Sequence, residues 1–228
     1  MVGARSLSAT RWRNARWLVL APHADDETLG AGALIAETAA EGRLAGIAFL
    51  TDGTGSHSHV DSCSRARLRA LRRTEAASAC RILTRGGRTP MFLDWPDAHP
   101  FEPGSASWRA TVERLASFCR RERVDAIAVT ASDEPHCDHA AAGTLARSVV
   151  VAAMRPVAVF EYFVWGQPPA KAHTFTTKPI APGRRRSALA AHRSQLTPLF
   201  GEGFRLPADQ QGMPDRDRLY LRSRHVAS

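Results

Sequence analysis

Lysine is almost absent from this chain: Lys171 and Lys178 are the only two among 31 basic residues, the rest being arginine. The formal charge is +9 over 228 residues, a balance that ordinarily raises nucleic acid, anionic lipid or a phosphorylated substrate as a partner. Such lopsided arginine usage reads instead as genome composition. No basic run is interleaved with aromatics in the manner of a groove for single strands, so no nucleic-acid partner is expected. The clusters at Arg65, Arg67, Arg69, Arg72 and Arg73, at Arg120 and Arg121, and at Arg184 to Arg186 are expected to be mostly solvated helix faces.

Also missing is any C-x-x-C pair. Cys63, Cys80, Cys119 and Cys137 have no regular spacing, which excludes a zinc ribbon or a disulfide framework, and reduced thiols fit a cytoplasmic protein. The only apolar run behind the Arg-rich amino terminus, Trp17 to Ala21, is too short for a signal-peptide core, and no stretch approaches a membrane span. An acid-free, Arg-rich start resembles a transit peptide in composition, a reading ranked below an ordinary frayed terminus over residues 1–15. With 44% hydrophobic residues the chain suits one compact domain spanning residues 1–228, with an irregular segment over 196–228.

Short apolar runs alternate with helical patterns. Strands are expected at 17–21, 44–50, 91–93, 124–129 and 157–165, with an edge strand at 174–180. Helices are expected at 27–41, stopped by Gly42, and at 65–83, 107–121, from about 139 through Met154, and 184–195. Gly30 and Gly32 are expected where the first helix packs close to the sheet. This is the pattern of an α/β fold: a Rossmann-like, mostly parallel sheet with helices on both faces. The Ser-rich loop 53–64, with His57 and His59, reads as a mobile surface lid rather than a ligand source.

Two stretches carry chemistry, each directly after a strand. Pro22-His23-Ala24-Asp25-Asp26-Glu27 follows the first, and Ser132 to His139 follows the fourth. An imidazole and adjacent carboxylates at the mouth of a buried strand are costly to desolvate unless something cationic binds them. In open α/β sheets the strand carboxyl ends converge on one crevice. His23 and Asp26, three apart, share one side of a helical turn, leaving Asp25 free for chemistry. With one histidine of the His136/His139 pair they make three ligands, the number a catalytic zinc keeps while leaving a position open.

These residues resemble the PIG-L/LmbE-like N-acetylglucosaminyl deacetylases, a metal-dependent family with a Rossmann-like fold. Pro22 to Glu27 looks like its first motif and His136-Cys137-Asp138-His139, with Ala140 to Gly143, like its second. Arg72-Arg73-Thr74-Glu75 and Ala188 to Gln195, with His192, Ser194 and Gln195, are weaker matches. The resemblance implies His23, Asp26 and His139 as zinc ligands, Asp25 as general base, and a protonated His136 facing the reacting carbonyl. It also implies Asp97 as a substrate-binding acid, with Asp94 as competitor. The same donors accept Fe2+.

Arg72 suits a sugar hydroxyl or phosphate, or else an ion pair with Glu75. His192 is taken as a third substrate contact, against the alternative of a packed core histidine, and Trp95 or Trp165 could stack on a sugar, though packing is the plainer role. The family usually has proline where Ala24 and Cys137 stand, and often lysine where Arg185 stands; Cys137 is expected to point to the core. The implied activity is zinc-dependent removal of acetate from a small-molecule N-acetylated sugar conjugate, with a homo-oligomer left open. Its rivals are an amidase of the same fold acting on another acylated metabolite, and a non-catalytic binding protein stabilised by metal.

Overall fold

Strand β2 (Trp17–Ala21) is buried along its whole length. Its side chains feed two cores: Trp17, Val19 and Ala21 enter one, Leu18 and Leu20 the other. A strand apolar on both faces belongs in the middle of a parallel sheet covered by helices on each side. The computed structural model, which describes residues 4–57, 61–87, 89–168 and 173–221, has it there.

In chain order the elements are β1 (Arg5–Ser6), β2, α1 (Asp26–Ala40), β3 (Leu44–Thr51), α2 (Ser62–Thr84), β4 (Met91–Trp95), α3 (Ala106–Arg121), β5 (Ala126–Thr130), α4 (Cys137–Ala152), β6 (Ala158–Tyr162), β7 (His173–Thr176), α5 (Arg184–Leu189), α6 (Arg193–Leu196) and β8 (Arg218–Leu221). They form one sheet in the order β1-β7-β8-β6-β5-β2-β3-β4. All pairings are parallel except those of β8, which runs antiparallel between β6 and β7. Helices α1, α2 and α5 pack together over one face, and α3 with α4 over the other.

The chain winds from β2 outward through β3 and β4, then returns to β5 on the other side of β2. That reversal is the topological switch point, where the loops leaving two adjacent strands part and open a crevice. Both ligand-bearing stretches leave these two strands.

Five expectations change. The amino-terminal segment does not fray from residue 4 onward: β1 pairs with β7, two 3-10 turns follow, and Leu7 and Ala15 are buried. The carboxyl-terminal segment is not wholly irregular, because β8 buries Leu219 and Tyr220 within the sheet. It is four residues long and preceded by a proline-rich stretch, too short for a visible alternation. Strand β7 therefore lies inside the sheet rather than at its edge, and the expected 184–195 helix is two short ones. Helix α2 starts three residues early because Asp61 caps it, its carboxylate accepting from Ser64 N at 2.8 Å.

Gly30 lies flat against the Tyr162 ring of β6, where a Cβ would collide. Gly32 makes room instead for the Arg185 guanidinium of α5. Among the described residues no helix is long and apolar enough to cross a membrane, and all four cysteines are free thiols.

Candidate metal centre

The turn after β2 is built by its own side chains. Thr51, at the end of β3, donates both its N–H and its hydroxyl to Pro22 O, each at 3.0 Å. His23 N donates to Asp26 Oδ2 at 2.9 Å, and Asp25 N to Glu27 Oε2 at 2.8 Å. These bonds replace the rigidity a proline at Ala24 would supply. Asp25 takes φ 115°, a strained value for a residue with a side chain, and as N-cap of α1 its carboxylate caps nothing. It is buried, among the charges of Asp26, His192, Glu27 and His23.

The second stretch begins α4, with His136 as N-cap. Its Nδ1 accepts from Asp138 N at 3.2 Å, so the neutral ring carries its proton on Nε2. His139, one turn on, is completely buried. The rings of His23, His136 and His139 form a triangle with centroids 4.7, 5.3 and 5.4 Å apart, and their ligand atoms lie within 4.8 Å of one another. Asp26 Oδ2 stands between two of them, 3.3 Å from His23 Nδ1 and 3.2 Å from His139 Nε2.

Carboxylates frame this triangle from behind. His23 Nε2 lies 3.1 Å from Asp138 Oδ2 and 3.2 Å from Asp97 Oδ1, which turns its Nδ1 toward Asp26. Glu134 Oε2 is 3.7 Å from His139 Nδ1. The same carboxylate accepts the backbone N–H groups of Val164, Trp165 and Gly166 at 2.5, 3.1 and 2.9 Å, tying the loop after β6 to the site. Glu27 lies beneath Asp25, accepting from Thr28 Oγ1 at 2.6 Å and standing 3.0 Å from His192 Nε2.

The electrostatics follow from burial and this crowding. Burial, then the neighbouring Asp26 charge, raises Asp25 to about 7. Burial would raise Asp26 too, but His139 and His23 outweigh it and hold Asp26 well below the usual carboxylate range. Burial opposes a proton on His23 and on His139. Asp138, Asp26 and Asp97 nevertheless hold His23 raised, and Asp26 with Glu134 brings His139 to about 9. Against its burial, Asp97 is lowered to about 2 by His23 and Arg72. His136 is lowered by burial and by the other two imidazoles, a direction that favours the neutral ring with Nε2–H as donor.

Neither ring nitrogen of the buried His139 has a hydrogen-bond partner of proper geometry among the described residues. Leaving such groups bare costs about 1–3 kcal/mol each, and a cation taking the Nε2 lone pair removes that cost at one of them. Two imidazoles and a carboxylate suit zinc, and equally Fe2+. The residues present therefore fit a divalent cation.

The residues expected as substrate contacts each have partners within the protein. Arg72 is buried; its guanidinium bonds Gly53 O and, at 2.9 Å, Ser56 Oγ, while Glu75 is taken by Ser194 N and Oγ at 2.9 and 2.6 Å. Asp97 braces His23 with one oxygen and accepts from Gly55 N at 2.8 Å with the other. Asp94 is held by Arg69 and Arg73, each at 2.9 Å. His192 is completely buried. Trp95 is a core residue whose Nε1 donates to Thr111 Oγ1 at 2.9 Å, whereas Trp165 stands at the rim, edge-on to the exposed Phe204 at 6.0 Å.

His57 is no surface feature: it is buried beneath Gly203, with Phe204 N donating to Ser56 O at 3.1 Å beside it. His59 lies outside the described residues. Cys137 is exposed rather than turned into the core. Glu134 and Asp138 were not assigned a role from the sequence; the available signal was their place in the same post-strand stretch as His136 and His139.

A buried histidine–carboxylate cluster at the switch point of a parallel α/β sheet, of a composition that fits a divalent cation, has a further buried carboxylate, Asp25, beside it. The chain belongs to the PIG-L family, GlcNAc-PI de-N-acetylase, whose sequence pattern it matches over residues 18–150, more than half its length. Both ligand stretches fall inside that span. No curated protein shows significant similarity to it.

Among solved structures, it is similar to N,N'-diacetylchitobiose deacetylase from Pyrococcus horikoshii, with 22% identity, 82% of this chain and 73% of that one covered, and a TM-score of 0.64. The A40926 pseudoaglycone deacetylase Dbv21 is 18% identical over 94% of this chain and 100% of its own, with a TM-score of 0.63. GalB, the 4-carboxy-2-hydroxymuconate hydratase from Pseudomonas putida KT2440, is 20% identical over 79% and 80%, with a TM-score of 0.55. At these identities the likeness is one of fold.

Proposed function

We propose that this protein is a metal-dependent N-deacetylase that hydrolyses the acetamide of an N-acetylglucosamine-type moiety, with Zn2+ as its cation. The observation that carries the reading is Asp25: a buried carboxylate, held at a strained backbone angle, capping nothing, beside a three-donor cation set. A purely structural metal site has no use for it. Family membership supports the amide as the bond attacked.

In this reading His23 Nδ1, Asp26 Oδ2 and His139 Nε2 hold the cation. When bound, the cation supplies Lewis acidity, acidifying water and polarising an amide carbonyl. Asp25, raised to about 7, takes a proton from water as its oxygen adds to the amide carbon. His136 donates its Nε2–H to the carbonyl oxygen as that atom gains negative charge. The proton on Asp25 then passes to the nitrogen, the C–N bond breaks, and acetate and a free amine leave. Arg72, Asp97 and His192 act here as positioning residues: Asp97 on His23, Arg72 on the 53–56 loop, His192 on Glu27 beneath Asp25.

The test is acetate release from a panel of N-acetylglucosamine conjugates by metal-loaded wild type and Asp25→Asn, with metal content assayed in both. Wild type releases acetate, and Asp25→Asn is slower by about 10²–10⁴-fold at equal metal content. No acetate from any conjugate at full metal loading would falsify the assignment and direct attention to other amides.

A further inference from the structure

The first turn of α4 gathers a second set of ligand atoms. His136, Cys137 and Asp138 offer a ring nitrogen, a thiol sulfur and a carboxylate oxygen within 4.8 Å of one another. The set is open on one side only: Cys137 is exposed and the His136 side chain is 39% exposed, while Asp138 is completely buried behind them. The two oxygens of Asp138 have different surroundings. Oδ2 accepts from Ala98 N at 2.8 Å and stands 3.1 Å from His23 Nε2, so it belongs to the frame of the first cluster. Oδ1 has, among the described residues, one hydrogen-bond partner: the Cys137 thiol at 4.0 Å. A thiol is a weak donor even at ideal distance, so a buried carboxylate oxygen is left nearly unpaired and facing an exposed sulfur.

We propose that His136, Cys137 and Asp138 form a second cation site, for a thiophilic divalent ion such as Zn2+ or Cd2+, whose occupancy inhibits the enzyme. Sulfur, imidazole and carboxylate together favour borderline-soft cations over Mg2+ or Ca2+. On binding, the S–H bond breaks as the sulfur–metal bond forms and the proton passes to solvent, so no oxidant or reductant is needed. The His23 and His136 rings are 4.7 Å apart, which makes the two cations close neighbours. Their repulsion makes the second site the weaker one. The His136 nitrogen on that side is Nδ1, 3.8 Å from Asp138 Oδ2 and now accepting from Asp138 N, so a cation there displaces that N–H, turns the ring and moves Nε2–H off the reacting carbonyl. That inhibitory consequence rests on the proposed function; the binding itself does not.

The test is titration of metal-free protein with Cd2+, read as bound metal per chain and as thiolate-to-metal charge-transfer absorption. Wild type is run beside Cys137→Ser and beside Cys63→Ser, a control at the other exposed thiol. Wild type and Cys63→Ser take up a second equivalent with thiolate absorption, and Cys137→Ser takes up one equivalent without it. In parallel, Zn2+ beyond one equivalent lowers acetate release in wild type, and Cys137→Ser needs roughly tenfold more Zn2+ for the same inhibition. A single equivalent in wild type overturns the site, as does a second equivalent that persists with its absorption in Cys137→Ser. Absence of acetate release in every form sinks the deacetylase reading alone, because the metal count still decides the site.

Discussion

Helix α1 touches two buried clusters of charge, and they are opposites. Along its side from Thr28 to Leu34, Arg185 donates Nε–H to Thr28 O at 2.9 Å, Nη1–H to Pro214 O at 2.5 Å and Nη2–H to Asp217 Oδ1. Asp217 Oδ2 in turn accepts from Leu34 N at 2.7 Å. No polar atom of that pair is left bare among the described residues. At the amino end of the same helix, Asp26 faces His23 and His139, and neither His139 nitrogen has a hydrogen-bond partner of proper geometry among the described residues. A buried polar cluster that satisfies itself is a brace, here joining α5 and the segment before β8 to α1. One that leaves ligand atoms bare in a dry setting is shaped for something else to bind.

Breaking the brace should give the largest change in stability. Asp217→Ala leaves the Arg185 charge buried without its partner, which costs about 3–5 kcal/mol. Denaturant unfolding should register that loss while the variant, where folded, keeps its metal content. A loss below about 1 kcal/mol would mean the pair is not the brace described.

Glu134→Gln attacks the other cluster from behind. It removes the negative charge facing His139 Nδ1 and leaves one oxygen for the 164–166 backbone, so it should weaken metal affinity by about 10–100-fold and cost about 1–3 kcal/mol of stability for the N–H left without an acceptor. Competition against a chelator measures this, and unchanged affinity would make Glu134 an anchor for the loop only.

The gentlest lever is pH applied to metal-free protein. His139 is raised from 6.5 to about 9 by Asp26 and Glu134 against its burial. A raised histidine contributes its stabilisation in full below about 6.5 and loses it as pH climbs through about 9. Metal-free protein should therefore unfold at lower denaturant concentration at pH 9.5 than at pH 6.5. Cation uptake near neutrality should release protons, detectable by calorimetry in buffers of different ionisation enthalpy. Uptake without proton release would mean that His139 is already neutral.

Part of this contrast could be read in the linear chain. His23, Asp25, Asp26, His136 and His139 stand out because ligand-type residues directly follow apolar strands, and such strands deliver their ends to one edge of the sheet. The brace could not be read: Arg185 looked like one of three solvated arginines, and Asp217 like a charge in an irregular tail. Only the antiparallel return of β8 brings Asp217 to α1. Glu134 was hidden for the same reason, since its main partners are backbone groups some thirty residues away. The burial of Arg72, His57 and His192 was not legible because sequence spacing reports which helix face or loop a residue occupies, but not what later packs over it.

What the sequence by itself determined was the alternation of strands and helices, the parallel sheet and the two post-strand stretches that carry the clustered histidines and carboxylates. These follow from local periodicity and from caps and stops such as Gly42. The tertiary structure alone decided which polar side chains are paired and which are bare, and that Cys137 faces outward. Pairing depends on groups distant in sequence meeting at about 3 Å, and no local pattern encodes that encounter.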